Sequence, residues 1–153
     1  MRTSIFAIAA ILAASTCASA QNQNGEERPQ RRIFMDGRPY RLGVDADVDM
    51  YIGTWYNSLP RHTHGSLVER DILTQGDPMA PTRPGAVLQC VNRFVYATLA
   101  AKALAMPTTL DKEQEIVFVL SGRGTISWKK QSAELYSGIA LLIPANLQFT
   151  IKN

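Results

Sequence analysis

Residues 114–153 read "QEIVFVLSGRGTISWKKQSAELYSGIALLIPANLQFTIKN" and decide the fold. Short runs rich in β-branched and aromatic residues alternate with turn residues, which is typical of strands. The glycines of residues 121–124 predict a tight hairpin, and residues 144–146 predict a turn between two more strands. Turns at roughly every eight to twelve residues indicate an all-β sandwich or barrel.

The chain before this stretch is less regular. Residues 85–107 contain valine, phenylalanine and tyrosine at strand-like density, so we expect strands there. An Asp-Gly pair predicts a small hairpin within residues 33–44, and β-branched and aromatic residues predict a strand over residues 48–55. Prolines and glycines crowd residues 58–84, which favours an irregular flap. Residues 33–84 are therefore predicted to be an N-terminal extension of hairpin, strand and flap.

Residues 1–20, "MRTSIFAIAAILAASTCASA", have the anatomy of a secretory signal. A basic start precedes an apolar run over residues 5–14, and small residues at 18–20 predict cleavage before Gln21. The apolar run is shorter than the roughly 20 residues of a membrane-spanning helix. The protein is expected to be periplasmic or secreted, with no membrane contact after cleavage. Residues 21–32 are polar and charged and predict a disordered lead-in.

Cysteine content and charge argue against two classes of protein, the disulfide-stabilised scaffold and the nucleic-acid-binding protein. Cleavage would leave Cys90 as the one cysteine, so no internal disulfide is expected in the cleaved chain. Its apolar neighbours favour a small buried hydrophobe. The formal net charge is +3, without a basic stripe interleaved with aromatic residues. Nucleic acid is therefore not an expected partner.

The spacing of polar and turn residues near the C-terminus is specific. Glu115 is followed after six residues by Gly122. Gly138 is followed after five residues by Pro144, and Asn146, Phe149 and Asn153 come after it at the positions of a second motif. This spacing resembles the two motifs of the cupin family, whose members are small jelly-roll β-barrels. The resemblance implies an all-β, cupin-like jelly-roll β-barrel over residues 85–153, with residues 33–84 as an irregular extension.

The family's metal ligands carry over poorly. Cupins usually hold a divalent metal with two histidines and a glutamate of the first motif and a histidine of the second. Counting back from the glutamate, the first two histidine places fall on Thr109 and Asp111, or on Thr108 and Leu110 with one more intervening residue. The last histidine place is Phe149, whose phenyl ring cannot coordinate a metal. Because these histidine positions hold other residues, we expect no metal in the barrel and no cofactor.

The barrel mouth is then expected to bind a small molecule. Its lining would be Thr109, Asp111, Glu115 and Phe149, an aromatic wall with a few polar groups. Such a pocket suits a small organic ligand such as a sugar or an aromatic acid. The first hypothesis is thus an exported, metal-free, small-molecule-binding cupin, whether or not it also catalyses a reaction.

A histidine pair earlier in the chain suggests an alternative, a metal-dependent enzyme. His62 and His64 precede Glu69 at the spacing of the first cupin motif, and alternate residues of a strand point to one side. With Glu69 or Glu115 they could hold iron, zinc or manganese in an oxygenase or isomerase. The residues after Glu69 are poor strand formers, so the alternative is a polar flap whose histidines bond to backbone or to Glu69.

A third hypothesis is a structural β-barrel without a ligand. Cupins normally continue past the asparagine that matches Asn153 with one or two further strands. A truncated chain is therefore expected. The alternative is an edge strand left unpaired, which soluble proteins avoid. The N-terminal strand or a second subunit, as in a homodimer, could cover that edge instead.

Overall fold

The structure is a computed structural model that describes residues 42, 43 and 45–153 in full and residues 6–14 as backbone. The expected lead-in, most of the hairpin predicted within residues 33–44, and residues 1–5 and 15–20 of the expected signal lie outside the described residues. No helix in the described part of the chain is long and apolar enough to cross a membrane.

Strands dominate the described chain, as the sequence predicts. The helices are α1 (Ala46–Asp49) and a short 3-10 turn (Trp55–Asn57). The strands are β1 (Phe6–Ala14), β2 (Arg61–Thr63), β3 (Leu67–Gln75), β4 (Ala86–Leu88), β5 (Val91–Leu99), β6 (Thr108–Thr109), β7 (Glu113–Ser121), β8 (Arg123–Trp128), β9 (Gln131–Tyr136), β10 (Ala140–Ile143) and β11 (Gln148–Lys152).

The strands form two sheets. The seven-stranded sheet has the order β10-β7-β1-β5-β3-β2, with β4 added parallel to β3, and the four-stranded sheet has the order β6-β11-β8-β9. Apart from the β3–β4 pair, the described strand pairs are antiparallel. The all-β class is thus confirmed. Over the described residues these two sheets do not join into a closed barrel.

Both sheets contribute to one hydrophobic core. On β7 the residues alternate, so that Val117 and Val119 are buried while Phe118 on the outer face is 40% exposed. The buried cluster contains Leu67, Val95, Ala97, Leu99, Ala105, Val117, Val119, Ile126, Leu135, Ile143, Phe149 and Ile151. Burying a large apolar side chain fully stabilises the fold by about 1.5–3 kcal/mol. The core therefore holds the two sheets together as layers.

The strand predicted over residues 48–55 is wrong. The chain forms α1 and the 3-10 turn there instead. The Asp45 side chain accepts hydrogen bonds from the backbone N–H of Asp47, at 2.9 Å, and of Val48, at 3.3 Å. This N-cap satisfies donors that a helix start leaves open, and it outweighs the β propensity of the following residues.

The prediction of an irregular flap over residues 58–84 is also wrong in part. It contains β2 and the nine-residue strand β3, which includes Arg70 and Asp71. Arg61 Nη2 donates to Asp71 Oδ1 at 2.7 Å across the β2–β3 pair, and Arg70 donates to the carbonyl of Ser58. These contacts come from outside β3, so its local propensity could not reveal them.

The predicted hairpin at residues 121–124 is wrong as well. β7 belongs to the seven-stranded sheet and β8 to the four-stranded sheet, so the turn between them is a corner rather than a hairpin. Gly122 has φ +89°, which glycine adopts freely. The turn at residues 144–146 likewise connects β10 in the first sheet to β11 in the second.

Cys90, expected to be buried, is exposed and disulfide-bonded.

Gly53 is fixed by close packing. A Cβ at this position would lie 1.7 Å from the backbone oxygen of Ile72. We expect Gly53→Ala to lower the free energy of unfolding by at least about 1–3 kcal/mol, because the clashing atom belongs to the backbone of β3. Chemical denaturation measures the loss.

The control for this substitution is Gly43→Ala. A Cβ at Gly43 meets nothing within 4 Å, although its φ of +87° is strained for alanine. It should cost only about 1 kcal/mol. An equal or smaller loss for Gly53→Ala would contradict the packing described for β3.

Candidate functional site

Two carboxylates lie in the interior. Glu69 on β3 is 1% exposed and Glu115 on β7 is 4% exposed, and they are the buried charged residues of the described chain. Both occupy inward positions, in register with buried apolar residues of their strands. Burial of a carboxylate is unfavourable unless it is paired, hydrogen-bonded or protonated. The surroundings of these two groups therefore define the candidate site.

Glu69 is paired with arginine. Arg93 Nη1 lies 3.0 Å from Glu69 Oε2, and Arg61 Nη2 lies 3.9 Å from the same oxygen. The Arg93 contact is an ion pair whose N–H is not aimed at the oxygen, so Glu69 Oε2 has no hydrogen-bond partner among the described residues. Charge is compensated here, but one strong acceptor remains without a donor.

Glu115 lies opposite Ile143 of β10 and has a shifted pKa. The pKa of Glu115 is raised to about 7, chiefly by burial and further by the negative charge of Glu69, while Arg93 opposes the shift. Its Oε2 atom also has no hydrogen-bond partner within the described chain. Near neutral pH this carboxyl therefore exists in both the protonated and the charged form.

His64 lies in the turn between β2 and β3. Its φ of +47° is left-handed, and Gly65 follows with φ +79°. Its Nδ1 is 2.5 Å from Thr108 Oγ1, and its ring centroid is 6.0 Å from that of Phe149. Burial lowers the pKa of His64, Glu69 offsets this effect, and Arg93 adds to it. The lowered pKa favours the neutral imidazole, in which one nitrogen donates and one accepts.

Thr63 adds a third polar oxygen. In the β2–β3 pair, Arg61 lies opposite Glu69 and Thr63 lies opposite Leu67, so these residues share the inward face. Thr63 Oγ1 is buried and has no hydrogen-bond partner in the described part of the chain. We call this group the interior polar site: Thr63, His64, Glu69, Arg93 and Glu115.

The structure separates the four residues expected to line the pocket. Phe149 and Glu115 are buried, whereas Thr109 and Asp111 are exposed. Thr108 lies opposite Phe149 in the β6–β11 pair, so Thr109 faces the other way. The inward residue before β7 is thus Thr108, which contacts His64 rather than completing the expected lining.

The expected histidine pair does not converge. His62 lies opposite Val68 in the β2–β3 pair and is exposed, on the face away from Glu69. The strand ends at Thr63, so the alternation that would align His62 with His64 stops before His64. Among the described residues, no group of three or more histidine, cysteine, aspartate and glutamate side chains is arranged to hold a metal ion.

Sequence reasoning missed Thr63 and Arg93. Arg93 lies within the apolar run of β5, whose inward positions are Val95, Ala97 and Leu99. A period-two reading from Val95 backwards places Arg93 on the same face. A cation at an inward position of a strand requires an acidic partner, which would have pointed to a buried carboxylate.

Comparison with known proteins identifies no family. No family model, no curated protein and no solved structure matches the chain.

Proposed function

We propose that this chain is an exported, cupin-like jelly-roll protein that binds a small neutral polyol, such as a sugar, at the interior polar site without a metal. The cupin-like spacing from Glu115 to Asn153 supports the fold, as do two sheets that share one core. The secretory pattern of residues 1–20 supports export. The ligand class follows from the site.

The observation that carries the proposal is the set of buried acceptors without donors. Thr63 Oγ1, Glu69 Oε2 and Glu115 Oε2 are buried and have no hydrogen-bond partner within the described chain, although Glu69 Oε2 is ion-paired with Arg93. A buried polar group without a partner costs about 1–3 kcal/mol. A ligand with several hydroxyl groups would donate to these oxygens and recover part of that free energy.

The charge of the interior polar site favours a sugar over an aromatic acid, the two ligand classes that the sequence suggests. The site holds two carboxyl groups against Arg93, which is already paired with Glu69. An aromatic acid would bring a further negative charge close to both carboxyl groups, and like charges in a buried site repel strongly. A neutral sugar meets no such repulsion. The Phe149 ring beside His64 offers it an apolar wall.

A thermal-shift screen of the full chain at pH 8 tests this function. Monosaccharides and linear polyols form one panel and aromatic carboxylic acids of similar size form the other. We expect at least one polyol to stabilise the protein, by about 2.7 kcal/mol when present at 100 times its dissociation constant. No aromatic acid should do so.

A pair of substitutions then locates the site. Thr63→Val removes one unpaired oxygen and should weaken polyol binding roughly tenfold, which corresponds to about 1.4 kcal/mol. Thr109→Val makes the same change on an exposed neighbour of the site and should leave binding unchanged. Stabilisation by aromatic acids alone, or equal effects of the two substitutions, would contradict the proposal.

A further inference from the structure

The first strand occupies an unusual position. β1 is nine residues long and lies between β5 and β7, antiparallel to both. Its register with β5 runs from the pair Phe6–Leu99 to Ala13–Val91. Its register with β7 runs from Ala7–Ser121 to Ala14–Glu113. The two neighbouring strands are therefore connected through β1 along almost their whole length.

The same residues form the apolar run of the expected signal. Cleavage before Gln21 would remove β1 and leave the facing edges of β5 and β7 unpaired. Open strand edges present rows of backbone donors and acceptors that readily pair with another chain. An extended strand can satisfy both edges of such a gap at once.

We propose that the gap between β5 and β7, here called the β5–β7 slot, is a binding site for an extended, uncharged, apolar peptide strand. Residues 6–14 fill it within the intact chain, and after their removal the slot takes a strand of the same chemistry from another polypeptide. The occupant of this slot is a peptide strand and not the proposed polyol.

The walls of the slot define that chemistry. Along its middle, the inward walls are Val95, Ala97, Val117 and Val119, all buried, and the outward walls are Phe94, Tyr96, Ile116 and Phe118. An occupant therefore meets apolar side chains on both faces, unlike a strand with one solvated face. The sequence of residues 6–14, "FAIAAILAA", is uncharged throughout and fits this requirement.

One end of the slot borders the interior polar site. Position 12 of β1 pairs with Arg93 on one side and with Glu115 on the other. The slot thus extends from an apolar middle to a charged flank. This asymmetry, together with the antiparallel pairing, fixes the direction in which a strand enters.

The test uses the full chain with a specific protease site inserted between residues 20 and 21. Reducing agent is present because Cys90 is disulfide-bonded and the other cysteine of the sequence, Cys17, belongs to the fragment that is cut off. After cleavage, the liberated N-terminal fragment should remain bound through gel filtration under native conditions. When it is removed by denaturant and the rest is refolded, a labelled peptide of residues 6–14, flanked by lysines for solubility, should bind in a 1:1 ratio and restore the native circular dichroism.

Two proline peptides provide the matched comparison. Ala10→Pro removes a donor in the middle of the strand and should weaken binding at least tenfold. Phe6→Pro changes the first residue of the strand and should bind within about threefold of the parent, because proline is tolerated there. Equal binding of the two proline peptides would overturn the proposal. So would release of the fragment on cutting with no binding of the parent peptide, or self-association of the cut chain in place of peptide binding.

Discussion

Phe149→Ala is expected to lower the free energy of unfolding by about 3–5 kcal/mol. Phe149 is 4% exposed and belongs to the core cluster shared by both sheets. It lies opposite Trp128 on β8 and Thr108 on β6, and its ring is close to that of His64. Truncation would leave a cavity at the centre of the four-stranded sheet, and rigid neighbours on both sides cannot collapse into it.

Urea unfolding followed by circular dichroism measures this loss. Phe118→Ala is the matched control, because Phe118 is 40% exposed on the outer face of β7. It should cost less than about half as much as Phe149→Ala, since less apolar surface returns to water. Phe149→Leu keeps most of the volume and should cost about 1.5 kcal/mol or less. Equal losses at positions 149 and 118 would show that Phe149 does not face the core.

Glu115→Gln is expected to stabilise the protein at alkaline pH. The pKa of Glu115 rises from an ordinary 4.5 to about 7 on folding, chiefly through burial. The folded chain therefore binds the proton more tightly than the unfolded chain. Stability conferred by the protonated carboxyl is complete below pH 4.5 and is lost as the pH rises to about 7. Glutamine stays neutral at every pH, so the substituted chain avoids this loss.

The expected difference between the two chains is about 3 kcal/mol at pH 8 and close to zero at pH 4. His64 has a lowered pKa and contributes stability that is lost as the pH falls below 6.5. This opposite trend is present in both chains and cancels in the difference. Urea midpoints at closely spaced pH values measure this difference, and Glu134→Gln at an exposed position of β9 serves as the control. A difference that does not vary with pH would refute the assignment.

The parts of the fold that depend on local pattern follow from the sequence. The β-rich runs of residues 114–153 predict strands, and β7 to β11 are found there. The spacing before Asn153 predicts an inward Phe149, which is buried. Strand alternation has a period of two residues, so a short window contains the whole signal. The strands in residues 85–107 are confirmed for the same reason.

The assignment of strands to sheets could not be read in this way. The turn at Gly122 looks like a hairpin because its residues allow one, but β7 pairs with β1 and β10. β3 is stabilised by Arg61 and other contacts from outside the strand, which no local window contains. The candidate site shows the same limit, because Thr63, Arg93 and Glu115 come from three separate strands and only the folded chain brings them together.

The β5–β7 slot and the interior polar site share residues. Arg93 and Glu115 flank the slot and also belong to the site. Removal of residues 6–14 would therefore open one side of the site to water, and entry of a peptide strand would close it again. Polyol affinity measured before and after cleavage at residue 20 would show how strongly the two events are coupled.

The most direct test of the account is the titration of the Glu115 carboxyl, followed by carbon NMR on protein labelled at the glutamate side chains. Glu115→Gln assigns the resonance by its disappearance. We expect a midpoint near pH 7, as for a carboxyl enclosed beside a second acid. A midpoint near the ordinary 4.5 would mean that Glu115 is hydrated, and the interior polar site would then not exist as described.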